Sequence, residues 1–265
     1  MPDYAHPEVL VSTDWLGQHL DDPAVRVLEV DYDPSSAYEL GHIPGSFLVD
    51  WKRDINDTVR RDILSKEQFE QLLSRVGATP DTTLVLYGDL RNWFAAFAFW
   101  TFAIYGHADI RLLNGGRRKW IDEGRETTEA VPTATPTRYE AGQPNTSLRS
   151  FRDDVLKVIG RDDISLVDVR SPAEFAGEII APQGYEQEGA QRGGHIPGAA
   201  SIPWASAIAF PCPENADRMR PWFGAVNRRP TTAGIGSGPS TIASRRSNGS
   251  VSHSNAAMTP IATPE

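Results

Sequence analysis

The chain has 265 residues, 40% hydrophobic and 23% charged, the balance of a globular protein with room for two domains of ordinary size. Its net charge of -9 argues against a general nucleic-acid binder, because neutralising phosphates needs a basic face. There is no run of 18 apolar residues, the opening MPDYAHPEVL shows no basic region followed by an apolar core, and one cysteine permits no internal disulfide. No membrane contact and a cytoplasmic location are therefore expected. The six histidines show no ligand spacing with acids or cysteines, so neither a metal nor a cofactor is expected.

In chain order, residues 8–30 read as an entry strand, a short helix with Trp15 and Leu16, and the strand VRVLEV after an Asp22-Pro23 turn. Ser65 to Val76 has apolar residues at Phe69, Leu72, Leu73 and Val76, a helical spacing with Ser65 as N-cap and Gly77 as stop. The short apolar run TLVLYG, 83–88, suits a buried parallel strand. Gly88-Asp89-Leu90-Arg91-Asn92-Trp93 follows, then FAAFAFWTFAIYG, which is helix-length, nearly free of polar residues and so expected to be buried. A strand, a tight loop and a helix N-terminus at the centre of a parallel sheet is where α/β proteins place ligands. Residues 127–149, rich in Pro and Thr with no hydrophobic period, read as a linker wrapping the first domain in extended form. Beyond it come a helix RDDVLKVIG, a strand SLVDV, and a helix AEFAG begun by Ser171 at N-cap and Pro172 at N1.

One stretch occurs twice, about 150 residues apart: Gly41-His42-Ile43-Pro44-Gly45-Ser46 and Gly194-His195-Ile196-Pro197-Gly198-Ala199. Each copy follows an apolar run carrying an acid, VLEVD ending at Asp31 and LVDVR containing Asp168, and each precedes another apolar run. Two copies of one domain are the reading, with Pro-Gly as the turn between two strands and each His as a loop residue bonding that turn.

The acid-bearing strand, the short helix (SSAYEL, SPAEF), GHIPG and LLNGGRRKW at 112–120 together resemble the two-domain rhodaneses, the thiosulfate sulfurtransferases, over residues 8–209. The resemblance implies an α/β fold of tandem rhodanese-like domains with central parallel sheets. The expected bounds are a non-catalytic first domain at 8–126, the linker, and a partial second domain at 150–209. It also implies sulfur transfer from thiosulfate to cyanide or a thiol through a cysteine persulfide. Partners would be a small sulfur-containing anion, a thiol acceptor or another protein. Asp168, Arg170, Glu174 and His195 would frame the site, with Asp168 and Arg170 read as a structural pair. In the first domain Asp89 and Arg91 are read as solvated loop residues, the alternative being a vestigial pocket lined by Gly88, Asp89 and Arg91.

The family pattern stops after SIPWASAIAF. Residues 210–265 are low in apolar content and contain arginine but no lysine, so a disordered tail is expected, as an out-of-frame translation would also produce. Cys212 lies there between Pro211 and Pro213, with no preceding strand, a weak candidate for the nucleophile. Sulfur transfer is therefore expected to be lost in this chain, the alternative function being a non-catalytic binding or regulatory module. A second domain without its central strand would leave an unpaired sheet edge and marginal stability.

Overall fold

A run of apolar residues buried on both faces makes β2 (Val25–Asp31) the spine of a parallel sheet. The computed structural model describes residues 6–57, 59–60, 62–186 and 189–204. These belong to two units that divide between Ser150 and Phe151.

In the first unit the chain order is β1 (Leu10–Val11), α1 (Thr13–Gln18), β2, β3 (Phe47–Asp50), α2 (Trp51–Asp54), a small antiparallel pair β4 (Asn56–Asp57) and β5 (Asp62–Ile63), and α3 (Lys66–Arg75). Then come β6 (Thr83–Tyr87), α4 (Trp93–Ile104), β7 (Ile110–Leu113) and α5 (Gly116–Asp122). The sheet order is β1-β7-β6-β2-β3, all parallel. Leu28 of β2 lies between Phe47 of β3 and Leu86 of β6.

The expected helix signals act locally. Ser12 Oγ accepts the Trp15 N–H to start α1. Ser65 and Gln68 form a reciprocal capping box on α3, and Gly77, with φ +69°, follows its end. Val11, Leu16, Val27, Ile43, Val85, Tyr87, Leu113 and Trp120 build one core cluster. Helix α4 packs on β2, β6 and β7, burying Phe94, Ala95, Ala98, Phe102 and Ile104. It is apolar all round yet buries mainly that face: Ala96 is exposed, and Trp93, Phe97, Phe99 and Trp100 are half-buried. The segment 127–149 runs along this unit in extended form. Thr128 and His42 exchange backbone hydrogen bonds, Thr137 N–H reaches Ser74 O, and Asn145 N–H reaches Ile104 O.

The second unit contains α6 (Arg152–Val158), β8 (Val167–Asp168), α7 (Pro172–Ala176) and β9 (Ala200–Ser201) among its described residues. Ser171 caps α7 through a box with Glu174, and Gly177 closes it in the left-handed region at φ +82°. Strand β8 pairs in parallel with β9, Val167 opposite Ala200. Among the described residues this is a sheet of two strands, with Ile179, Ile180, Ile196 and Leu156 exposed. The tail from 205 onward, Cys212 included, lies outside the described residues. No helix among the described residues is long and apolar enough to cross a membrane.

Candidate functional site

The loop between β6 and α4 is built by contacts that only particular residues permit. Gly88 passes so close to β2 that a Cβ there would meet Val30 O at 2.4 Å. Leu90, Arg91 and Asn92 then adopt φ of +42°, +58° and +63°, three successive left-handed residues without a glycine. Such a conformation costs about 1–2 kcal/mol per residue, so the surroundings must hold it. Asn92 supplies the hold: its Oδ1 accepts the Gly88 N–H at 3.1 Å and its Nδ2 donates to Leu113 O at 2.8 Å. The Gly-Gly of LLNGGRRKW makes room for it, since a Cβ on Gly116 would lie 2.3 Å from Asn92 Oδ1. Arg117 N–H then closes on Gly88 O.

Around this loop the charge is mostly acidic. Glu29, fully buried on β2, takes Arg117 Nη1 at 2.7 Å and the Tyr87 hydroxyl at 2.5 Å. Arg117 Nη2 also donates to Ala37 O and Gly41 O, tying α5 to the first GHIPG turn. Burial pushes the Glu29 carboxyl up to about 7, against the pull of Tyr87 and Arg117. Asp31 is pushed up to about 8, first by burial and then by the charges of Glu29 and Asp89. Burial also raises Asp89. Asp31 Oδ1, Asp89 Oδ1 and Trp51 Nε1 are buried with no hydrogen-bond partner among the described residues. All three residues sit at or just beyond the carboxyl ends of β2, β6 and β3. Arg91 is exposed.

The second unit repeats the first GHIPG joint in detail. His195 stacks on Phe175 at 3.6 Å and 6°, with Nδ1 2.9 Å from Phe175 O. His42 stacks on Tyr38 at 3.7 Å and 2°, with Nδ1 3.0 Å from Tyr38 O. In both copies an arginine joins the strand acid to the glycine before the histidine. Arg117 reaches Glu29 and Gly41 O from α5, whereas Arg170 reaches Asp168 at 2.6 Å and Gly194 O at 2.7 Å from two residues away. Burial alone would raise the Asp168 carboxyl, but Arg170 outweighs it and holds Asp168 below the usual carboxylate range. Glu174 points back at its own helix start, accepting from Ser171 N–H and Oγ. The structure thus brings Asp168, Arg170 and His195 to one turn and turns Glu174 to helix capping. No local pattern in the sequence singles out Glu29, Tyr87 or Arg117. The acid in VLEVD and the arginine of NGGRR were visible, but their meeting is a long-range event with no local signature.

The two copies differ in cover. Ile43 is 1% exposed and Ile196 is 41% exposed at the same position of the motif. In the first copy the Tyr87 hydroxyl of β6 accepts the Ile43 N–H at 3.0 Å. Among the described residues no cluster of His, Cys, Asp and Glu suits a metal ion.

An all-parallel sheet with a strand–loop–helix unit at its centre and a repeated GHIPG joint defines an α/β protein of tandem, related units. Residues 12–123 match the rhodanese-like domain family. The chain is 56% identical over 210 residues to the sulfur carrier protein TtuD of Thermus thermophilus, covering 77% of this chain and 73% of that one. It is 52% identical over 200 residues to a putative thiosulfate sulfurtransferase of Saccharopolyspora erythraea, covering 76% and 70%. In fold it matches the 3-mercaptopyruvate sulfotransferase SseA from Escherichia coli, with TM-score 0.68 and 23% identity over 83% of this chain and 84% of that one. The chain belongs to the rhodanese family of sulfurtransferases.

Proposed function

We propose that the chain carries the scaffold of a thiosulfate sulfurtransferase, which moves sulfane sulfur to cyanide or a thiol through a cysteine persulfide, and that this polypeptide does not form the persulfide. The observation that carries the reading is the second unit, where the residues expected to frame the site are engaged with one another and with backbone rather than with a thiol. The reaction needs a thiolate in the loop after the central strand of the second domain, supported by a helix N-terminus and cations that also hold the anionic donor. The corresponding loop of the first domain has Gly88 and Asp89, with Asp31 beside them, and the nearby guanidinium of Arg117 is engaged by Glu29, in keeping with a non-catalytic first domain. Carboxyls at that position, charged or protonated, offer no thiol to carry sulfur. In the second unit Asp168 and Arg170 neutralise each other, Glu174 caps a helix and His195 stacks on Phe175, so none is a nucleophile.

The sole cysteine, Cys212, has Pro213 after it, and proline lacks the backbone N–H that a persulfide cradle would use. A sulfur carrier, the role named for the Thermus thermophilus relative, also needs a thiol and meets the same obstacle. The domain plan that goes with this reading is a non-catalytic first domain at 8–126, a linker at 127–149 and a partial second domain at 150–209. A non-catalytic binding module is the second reading, supported by the intact five-stranded sheet and the firmly bonded loop of the first unit. Intact-mass measurement after incubation with thiosulfate tests the proposal. An unchanged mass is expected; a gain of one sulfur atom on Cys212 would overturn it.

A further inference from the structure

Two carbonyls face the ring of the first motif histidine. His42, only 1% exposed, has Nδ1 3.0 Å from Tyr38 O and Nε2 3.1 Å from Ala130 O. A carbonyl oxygen only accepts, so each ring nitrogen must bring a proton to make its bond. A neutral imidazole has one N–H and turns a bare lone pair toward the other oxygen, whereas the imidazolium serves both. One carbonyl alone, as at His195 Nδ1 and Phe175 O, is served by a neutral ring.

Ala130 belongs to the extended segment 127–149, and its contact lies where that segment fastens to the GHIPG turn. His42 and Thr128 exchange backbone hydrogen bonds of 2.8 Å in both directions. The segment also passes close to Gly41, where a Cβ would stand 3.4 Å from Thr127 Oγ1. The surroundings of His42 suit a cation. The Tyr38 ring lies flat against it at 3.7 Å and 2°. The guanidinium of Arg117, which holds Gly41 O from α5, is already paired with Glu29 of β2. Asp31 of β2 accepts the Tyr38 N–H, while Glu39 on the turn and Glu126 and Glu129 on the segment are exposed.

A second histidine grips the same segment with the opposite proton requirement. His107 Nε2 donates to Thr82 O at 2.7 Å, which leaves Nδ1 bare to accept the Tyr139 hydroxyl at 2.7 Å. Burial favours this neutral form.

We propose that residues 128–130 form a strap whose hold on the first GHIPG turn depends on the ring proton of His42. The imidazolium fastens the strap through Ala130 O. Loss of one ring proton breaks that bond and loosens the strap, while the Tyr139 anchor stays in place. The device is independent of whether the chain transfers sulfur.

The test uses the full chain, labelled with 15N and titrated from about pH 5 to 9. The His42 ring is expected to carry protons on both nitrogens at the acid end and on one at the alkaline end. Over the interval in which it loses that proton, amide exchange protection is read at His42 and Thr128 and corrected for the pH dependence of unprotected exchange. It is expected to fall about fivefold relative to Thr137, Tyr139 and Asn145, whose N–H groups bond Ser74 O, Ser74 Oγ and Ile104 O. Taking the ratio separates release of the strap from a general loss of stability. In His42→Gln the ratio is expected to stay constant with pH. The titration of the parent stands without that variant, because ring contacts with Tyr38 also identify the His42 signals. A His42 ring that keeps one protonation state throughout would overturn the proposal, as would a constant ratio while the ring loses its proton.

Discussion

Arg117 on α5 and Glu29 at the centre of β2, 88 positions apart in sequence, meet at 2.7 Å with the carboxylate fully buried. The same guanidinium holds the carbonyl of Gly41, so one side chain joins the closing helix, the central strand and the GHIPG turn. Removing Arg117 leaves a buried acid without its cation. Arg117→Met is expected to cost about 3–5 kcal/mol in urea unfolding of the first unit, with Glu29→Gln in the same chain recovering part of the loss. If the single variant costs less than about 1 kcal/mol, the joint is not what holds α5 in place.

The buried carboxyls give stability a defined pH slope. In the folded chain Asp31 keeps its proton to about pH 8 and Glu29 to about 7, against ordinary values of 3.8 and 4.5. The folded state therefore binds more protons than the unfolded state in between. The stability these groups contribute is fully present below about pH 4 and is lost as pH rises through 7 to 8. Asp31, with one oxygen lacking a partner among the described residues, is expected to dominate. Asp31→Asn should flatten the fall between about pH 4 and 8 and make the variant more stable than the parent at pH 9. Denaturant midpoints at a series of pH values read this directly, and an unchanged slope in the variant would contradict it.

The left-handed run at Leu90–Asn92 depends on the Asn92 amide. Asn92→Ala loses both bonds and adds left-handed strain, for an expected loss of about 2–3 kcal/mol. Asn92→Gly keeps the backbone and should cost about 1 kcal/mol less. Thermal melts of the pair, with equal losses, would show that the strain is not real.

His42 and His195 make the same stack and the same carbonyl contact at different burial. His42→Ala is expected to lower stability by about 2 kcal/mol and His195→Ala by less than about 1 kcal/mol. Hydrogen exchange in each unit would report the two separately.

The sequence speaks clearly where the cause of structure is local. Ser65, Ser171 and Pro172 mark helix starts because capping acts within four residues, and they do so here. The repeated GHIPG and its flanking apolar runs announce the strand pairs β2–β3 and β8–β9. The exposed face of α4 is not legible, because an all-apolar helix gives no periodicity from which to tell a covered side from an open one. The charge of the loop is not legible either. Asp89 reads as a solvated loop residue, and only the packing of Gly88 on β2 brings Asp31 beside it. Arg170 follows Asp168 by two residues and can be read as its partner, whereas the equivalent arginine of the first unit comes from 88 residues away.

Thiosulfate-to-cyanide sulfur transfer by the purified full chain, with Cys212→Ser assayed beside it, tests the loss of persulfide chemistry directly. No turnover above the uncatalysed rate is expected in either protein. Turnover by the parent that disappears in Cys212→Ser would contradict it and make Cys212 the sulfur carrier.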